Sequence, residues 1–264
     1  MSTIATARVG GSQGDAVLFV HGVGSTASIW DYQLDALADA YRCFAVELRG
    51  NGVPKPEPPP HAITREGYVD DVLTVADAAG AQHFHFVGCS LGGVVGFELW
   101  KRVPQRLRSL TLVGSFAWYP DAAAYVQSVI AAVEVAGTME RFAHERAKKL
   151  GMPPGKRTDE TIEQMACKTV PSYIAATHAT WTGDYRDVLE RIAVPALVVC
   201  GERDTVAPPS FSREIAGAIP DARLEIVEGA GHVTNADAPQ RFNDLLRTFL
   251  RDQDSRPAIR SAPA

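Results

Sequence analysis

The chain has 264 residues, of which 46% are hydrophobic and 22% charged, and a formal net charge of −5 at pH 7. This length suffices for one large domain or two small ones, with a core that needs no disulfide or metal to hold it. The acidic balance argues against a broad nucleic-acid surface, which needs clustered basic residues, and no run of about 18 apolar residues is present to cross a membrane as a helix.

Residues 1–14 contain no basic segment followed by an apolar core, so no signal peptide is expected. Residues 16–20 are a continuous apolar run ending at His21-Gly22, and residues 43–46 are a second. Pro54-Lys55-Pro56-Glu57-Pro58-Pro59-Pro60 reads as a stiff, extended surface loop. Helical spacing follows over 68–79, with Val69, Val72, Leu73 and Ala76 on one side. Then come an apolar run at 84–87, a helical segment at 94–101 and a run at 110–113. Past residue 116 the alternation stops. Four helical segments (121–136, 138–150, 159–168 and 172–181) are punctuated by Gly137, Pro153-Pro154-Gly155 and Pro171. The alternation resumes with a run at 196–200, a helix at 211–219 and a run at 224–227, and a polar tail over 251–264 is expected to be frayed.

Short apolar runs bounded by Gly, Pro or charge suit strands buried on both faces. Strands alternating with helices predict an α/β fold, a mostly parallel twisted sheet flanked by helices. Residues 1–116 and 187–250 form the core in this division, and residues 117–186 form a helical lid over the carboxyl edge of the sheet, where ligands bind in such folds. The four cysteines, Cys43, Cys89, Cys167 and Cys200, have neither CxxC nor zinc-ligand spacing and read as reduced thiols of a cytoplasmic protein.

The chemical signal is Gly88-Cys89-Ser90-Leu91-Gly92 between an apolar run and a helical segment. A chain that reverses there pushes the serine out on a strained turn, and the residues two places away must be small. Gly88 and Gly92 meet that demand. Cys89 does not qualify as nucleophile, because its corresponding neighbours are Val87 and Leu91. Leu91 supplies a backbone N–H at a helix start, where negative charge is stabilised. A bland alternative makes Ser90 a helix N-cap in a glycine-rich turn.

A serine needs a base. Of seven histidines, His232 stands out in Glu228-Gly229-Ala230-Gly231-His232, after a strand-like run and in a glycine turn. His21 reads as a residue pinning the loop His21-Gly22-Val23-Gly24, whose Val23 N–H is a second candidate oxyanion donor. His83 and His85 look like strand residues, and a metal pair there would need further ligands that the local sequence does not offer. For the acid, Asp204 in Gly201-Glu202-Arg203-Asp204 is the candidate, with Glu202 as a neighbouring alternative. The stretch after the 110–113 run, Gly114-Ser115-Phe116, carries no carboxylate.

His21-Gly22-Val23-Gly24-Ser25 with Trp30, Gly88-Cys89-Ser90-Leu91-Gly92-Gly93, Gly201-Glu202-Arg203-Asp204 with Pro208, and Gly229-Ala230-Gly231-His232 together resemble the α/β-hydrolase superfamily over nearly the whole chain. In length and order, including Leu107-Arg108-Ser109-Leu110-Thr111-Leu112, the chain resembles the 3-oxoadipate enol-lactonase-like branch. The resemblance implies a serine hydrolase with the chain order Ser90, Asp204, His232. It implies a carboxylic ester or lactone as small-molecule substrate and no metal or organic cofactor. Two departures stand out. Relatives carry Asp-x-Arg-Gly-His-Gly where this chain has Glu47-Leu48-Arg49-Gly50-Asn51-Gly52, and only 16 residues precede Val17. C–C bond hydrolysis of dioxo acids, cofactor-free perhydrolysis and a ligand-binding role without turnover use the same constellation. Trp118, Phe142 and Trp181 are candidates for an apolar substrate wall. The oligomeric state is not encoded in any motif.

Overall fold

The computed structural model describes residues 6–51, 58–150, 152 and 154–254; the proline-rich loop lies largely outside them. Among the described residues, seven strands form one sheet: β1 (Thr6–Gly10), β2 (Ala16–Val20), β3 (Arg42–Glu47), β4 (Phe84–Cys89), β5 (Leu107–Val113), β6 (Ala196–Gly201) and β7 (Ala222–Val227). Their order is β1-β3-β2-β4-β5-β6-β7. Only β1 runs antiparallel, against β3. Every residue of β2, β4 and β6 is buried, as expected for strands covered on both faces.

Eleven helices flank or cap the sheet among the described residues. They are α1 (Asp31–Leu37), α2 (Arg65–Ala78), α3 (Leu91–Arg102), α4 (Ala122–Ala136), α5 (Met139–Lys149), α6 (Lys156–Ala166), α7 (Val170–Trp181), α8 (Arg186–Leu189), α9 (Pro209–Ala218), α10 (Thr234–Asp237) and α11 (Pro239–Asp254). Leu18, Phe86 and Leu112 on one sheet face pack with Val72 of α2, Val95 of α3 and Ile215 of α9. Val17, Val87 and Val199 on the other pack with Leu34 of α1 and with Phe242 and Leu246 of α11. Helices α4 to α7 form the inserted helical region before β6. Their own small core joins Val129, Val133, Phe142, Met165 and Tyr173.

The sequence-based boundaries need correction. Strand β1 and helices α1, α8, α10 and α11 have no counterpart among the predicted elements. In α11 the apolar positions are spread thinly between charges, and the helix is held by tertiary burial of Phe242, Leu246, Phe249 and Leu250. The frayed tail expected from residue 251 does not begin there. Helix α11 continues to Asp254, whose Oδ2 accepts a 2.6 Å hydrogen bond from Tyr41 Oη; residues 255–264 lie outside the described ones. Helix α4 begins at Ala122 because Asp121 is held left-handed, at φ 48°.

The parallel register aligns the strand ends. Val20 pairs with Gly88, Cys89 with Val113, and Val113 with Val199. The loops after β2, β4, β5, β6 and β7 therefore open on one edge. Strand β2 lies between β3 and β4, so the chain departs from it in both directions. A crevice forms at such a switch point.

Candidate active site

Ser90 follows β4 directly and precedes α3. It is one of two non-glycine residues with positive φ among the described residues, at φ 54° and ψ −110°. Such a conformation costs about 1–3 kcal/mol and persists only where the surroundings over-determine it. The surroundings do so here. A Cβ on Gly88 would stand 2.3 Å from the Gly92 carbonyl, one on Gly92 would stand 2.2 Å from Val20 O, and one on Gly93 would meet Ser115 Oγ at 2.1 Å. The Ser90 N–H donates to Val113 O at 2.9 Å, pinning the turn to the end of β5. No side-chain capping bond is made by Ser90, so the hydroxyl is not spent as an N-cap.

Gly114, immediately after β5, is the meeting point. A Cβ there, at φ 51°, would lie 2.7 Å from His232 O, 3.1 Å from Asp204 Oδ2 and 3.2 Å from His232 Nδ1. His232 and Asp204 are themselves joined, Nδ1 to Oδ2, at 2.8 Å. The other Asp204 oxygen accepts from the Val206 and Ala207 N–H groups at 2.8 and 2.9 Å. The carboxylate is thereby aimed by its own turn. Gly201 lets the histidine loop approach that turn, since a Cβ on it would come within 2.2 Å of Gly231 O. Glu202 is turned elsewhere and accepts the Gly229 N–H at 3.0 Å. Of the two carboxylates weighed from sequence, Asp204 is the one on His232.

The loop after β2 leans on the serine. A Cβ on Gly22 would be 3.3 Å from Ser90 Cβ and 3.9 Å from Ser90 Oγ. The Val23 N–H makes no hydrogen bond among the described residues, and Leu91 stands at the first position of α3, where an N–H has no intrahelical partner. His21 pins this loop from below. Its Nε2 accepts the Leu48 N–H at 3.2 Å, so its Nδ1–H donates to Gly22 O at 2.8 Å. Glu47 lies 3.2 Å from the same ring and accepts the Ala27 N–H at 3.0 Å.

The departure at Asn51 has a local explanation. Its Oδ1 accepts the Gly24 N–H at 3.2 Å and its Nδ2 donates to Tyr68 Oη at 3.2 Å. Arg49 beside it is held by Asp71, Nη2 to Oδ1 at 2.7 Å. The segment 47–51 thus supports the loop at 22–24. Sequence reasoning had not assigned it that part, because the partners Gly24, Tyr68 and Asp71 are distant in the chain.

The inserted helices cover this edge and leave Ser90 only 2% exposed. Ser25 Oγ donates to Gln164 Oε1 and Gln164 Nε2 to Ser28 Oγ, each at 3.0 Å, and Arg157 pairs with Asp237 at 2.9 Å. Trp181 stacks on Phe116 (4.6 Å, 7°) and touches Tyr119 and Tyr125. Phe142 packs on Tyr173 at 5.2 Å, and Tyr173 lies over Gly24. Trp118 is placed differently. Its indole donates to Glu214 at 2.8 Å and lies under Arg186 at 4.3 Å, a surface clamp outside the ring cluster of Phe116, Tyr119, Tyr125 and Trp181.

A second histidine–aspartate pair exists. His85 Nε2 lies 3.8 Å from Asp254 Oδ1. It belongs to the opposite end of β4, five residues and roughly 16 Å along an extended strand from Ser90, so it cannot serve that hydroxyl. An imidazole oriented by a carboxylate next to an outthrust hydroxyl, with backbone N–H groups at a strand end, can accept a proton while an oxyanion is stabilised. Among the described residues, only the Ser90 end of the sheet offers this.

Comparison with known proteins agrees with this geometry. The family model described as "Alpha/beta hydrolase family" matches residues 17–245. The curated protein "Putative carbamate hydrolase RutD" of Azorhizobium caulinodans is 29% identical over 250 residues, spanning 91% of this chain and 93% of its own. A hydrolase from Pseudomonas aeruginosa is 32% identical, covering 93% of this chain and 94% of its own, with a TM-score of 0.84. An enol-lactonase from Burkholderia xenovorans is 25% identical, covering 94% and 96%, with a TM-score of 0.80. With the family model spanning most of its length and a strained serine elbow at the expected edge of its sheet, this chain belongs to the α/β-hydrolase family and is a hydrolytic enzyme.

Proposed function

We propose that this enzyme cleaves carboxylic esters or lactones through an acyl-enzyme, with Ser90 as nucleophile, His232 as base and Asp204 as the orienting acid. The observation that carries the proposal is the 2.8 Å contact between His232 Nδ1 and Asp204 Oδ2, held against the same residue, Gly114, that follows the carbonyl bonded by the Ser90 N–H. With Nδ1–H committed to the carboxylate, Nε2 is the nitrogen that takes the serine proton. The hydroxyl oxygen attacks the substrate carbonyl, and the developing oxyanion is received by the N–H groups of Val23 and Leu91. His232 then gives the proton to the departing alcohol or enol oxygen. Water attacks the acyl-enzyme with His232 as base again, releasing the acid and restoring Ser90.

Residues 117–186 act as the lid of this site, and Trp181 and Phe142, with Trp118 at the rim, shape the wall that meets the acyl or leaving group. Because Ser90 is buried beneath the lid, substrate binding requires the lid to shift. The relatives named for carbamate and enol-lactone hydrolysis favour a small carbonyl substrate with a heteroatom leaving group. No described helix is long and apolar enough to cross a membrane, and four free cysteines, three of them buried, suit a reducing cytoplasmic setting. The test is Ser90→Ala. It should lower turnover of p-nitrophenyl esters and lactones by about 10⁴–10⁶-fold and abolish fluorophosphonate labelling while the melting curve stays cooperative. Retained hydrolysis in this variant refutes the assignment.

A further inference from the structure

At the other end of β4 a buried imidazole is left with nothing to do. His85 is fully buried. Its Nδ1 lies 2.7 Å from Ser109 Oγ, while its Nε2 has no hydrogen-bond partner among the described residues. Leaving such an atom unmet is costly, so its retention calls for a reason. A neutral imidazole that gives its Nδ1–H to an oxygen presents a lone pair at Nε2, which is the form that binds metal ions.

Two carboxylates stand in front of that nitrogen. Asp254, at the end of α11, has Oδ1 3.8 Å from Nε2. Asp15, in the turn before β2, completes a trio in which one ligand atom from each residue lies within 4.8 Å of the others. Each carboxylate is steadied from behind, Asp254 Oδ2 by Tyr41 Oη at 2.6 Å and Asp15 Oδ2 by Arg108. Hydrogen-bonded carboxylates and an imidazole oriented through its second nitrogen are the outer-shell pattern of metal sites. Both carboxylates are partly exposed (side chains 39% and 41%). They can close by the roughly 1–1.5 Å that ligand distances of about 2.0–2.2 Å demand.

We propose that His85, Asp15 and Asp254 bind one divalent transition-metal ion of the zinc class, which staples the C-terminal helix and the turn before β2 to the lower end of the sheet. An imidazole ligand selects such ions over Mg²⁺ and Ca²⁺, which prefer oxygen alone. Arg108 offsets one of the two carboxylate charges, so the affinity is moderate. The three ligands are far apart in sequence, so an ion that binds only the folded chain stabilises it. The site is independent of the Ser90 chemistry, and it would stand if the hydrolase assignment fell.

The experiment uses the full chain, stripped with a chelator. Isothermal titration with ZnCl₂ should give one ion per chain. A hundredfold excess over Kd should raise Tm by about 5 °C, with millimolar MgCl₂ and CaCl₂ without effect. Co²⁺ in place of Zn²⁺ should give a visible absorption band. Asp254→Asn and His85→Gln should each weaken binding at least tenfold, and His232→Ala should retain it, separating this site from the other histidine–aspartate pair. Should His85→Gln not fold, the partly exposed Asp254→Asn still decides. Failure of the wild-type chain to bind one ion, or undiminished binding in Asp254→Asn, overturns the proposal.

Discussion

The two ends of β4 each carry a histidine beside an aspartate, yet only one end can perform acyl transfer. At the carboxyl end, His232 and Asp204 are 2.8 Å apart on loops, at the same sheet edge as a serine in a strained conformation and a glycine loop whose Val23 N–H is unbonded among the described residues. At the amino end, His85 sits inside a strand, 3.8 Å from Asp254, with a serine, Ser109, that lies within the neighbouring strand β5. The pair itself is common to both ends. What differs is the backbone. Loops after parallel strands can push a side chain outward and leave N–H groups unbonded, whereas a residue within a strand has its N–H and C=O committed to the ladder. A histidine–carboxylate contact is therefore informative only together with the main chain around it.

Exchanging one carboxylate at each end breaks or sharpens this contrast most strongly. Asp204→Asn keeps an oxygen for the Val206 and Ala207 N–H groups but loses the correct tautomer of His232, and kcat should fall about 10⁴-fold. Asp254→Asn should leave kcat within about twofold, since it touches nothing near Ser90. Similar losses in steady-state ester hydrolysis for both variants would put the working base at the wrong end of the strand. The next effect is on the fold. Gly88→Ala places a methyl 2.3 Å from the Gly92 carbonyl, and the elbow should lose about 3 kcal/mol in urea unfolding. The same substitution at Gly80, where a Cβ meets nothing within 4 Å, should cost much less despite its φ of +63°. The smallest effect concerns protons. His85 is held neutral by burial, with a pKa of about 3 against 6.5 unperturbed. Between those values the unfolded chain binds more protons than the folded one, so this group's contribution to stability falls as pH drops from 6.5 toward 3. Metal-free His85→Gln should show a shallower loss of Tm over that window than the wild type.

Much of the upper edge was legible in the sequence. Ser90 announced itself because a strand-to-helix reversal admits only small residues two places away, and Gly88 and Gly92 stand there. Asp204 and His232 were legible as residues just past apolar runs. The choice of Asp204 over Glu202 was not, because both follow β6 and only the paths of their turns decide which meets His232. Asn51 and Glu47 looked like departures from a motif. Their work in holding the 22–24 loop runs through Tyr68, Gly24 and His21, contacts that no local window contains. Trp118 and Trp181 had equal standing as lid aromatics, yet one is clamped at the surface and the other is buried and stacks on Phe116.

The amino-acid order alone determined the alternation of buried strands and helices, the helical insertion and the glycine-framed serine, because these depend on steric and hydrophobic rules acting over a few residues. Tertiary structure alone decided what the distant side chains do. It paired His232 with Asp204, buried α11 along the sheet, and brought Asp15 and Asp254 to the free nitrogen of His85. The reason is that hydrogen bonds and ligand distances are set to tenths of an ångström by packing, and residues 15, 85 and 254 have no local relation to one another until the sheet and its last helix have closed.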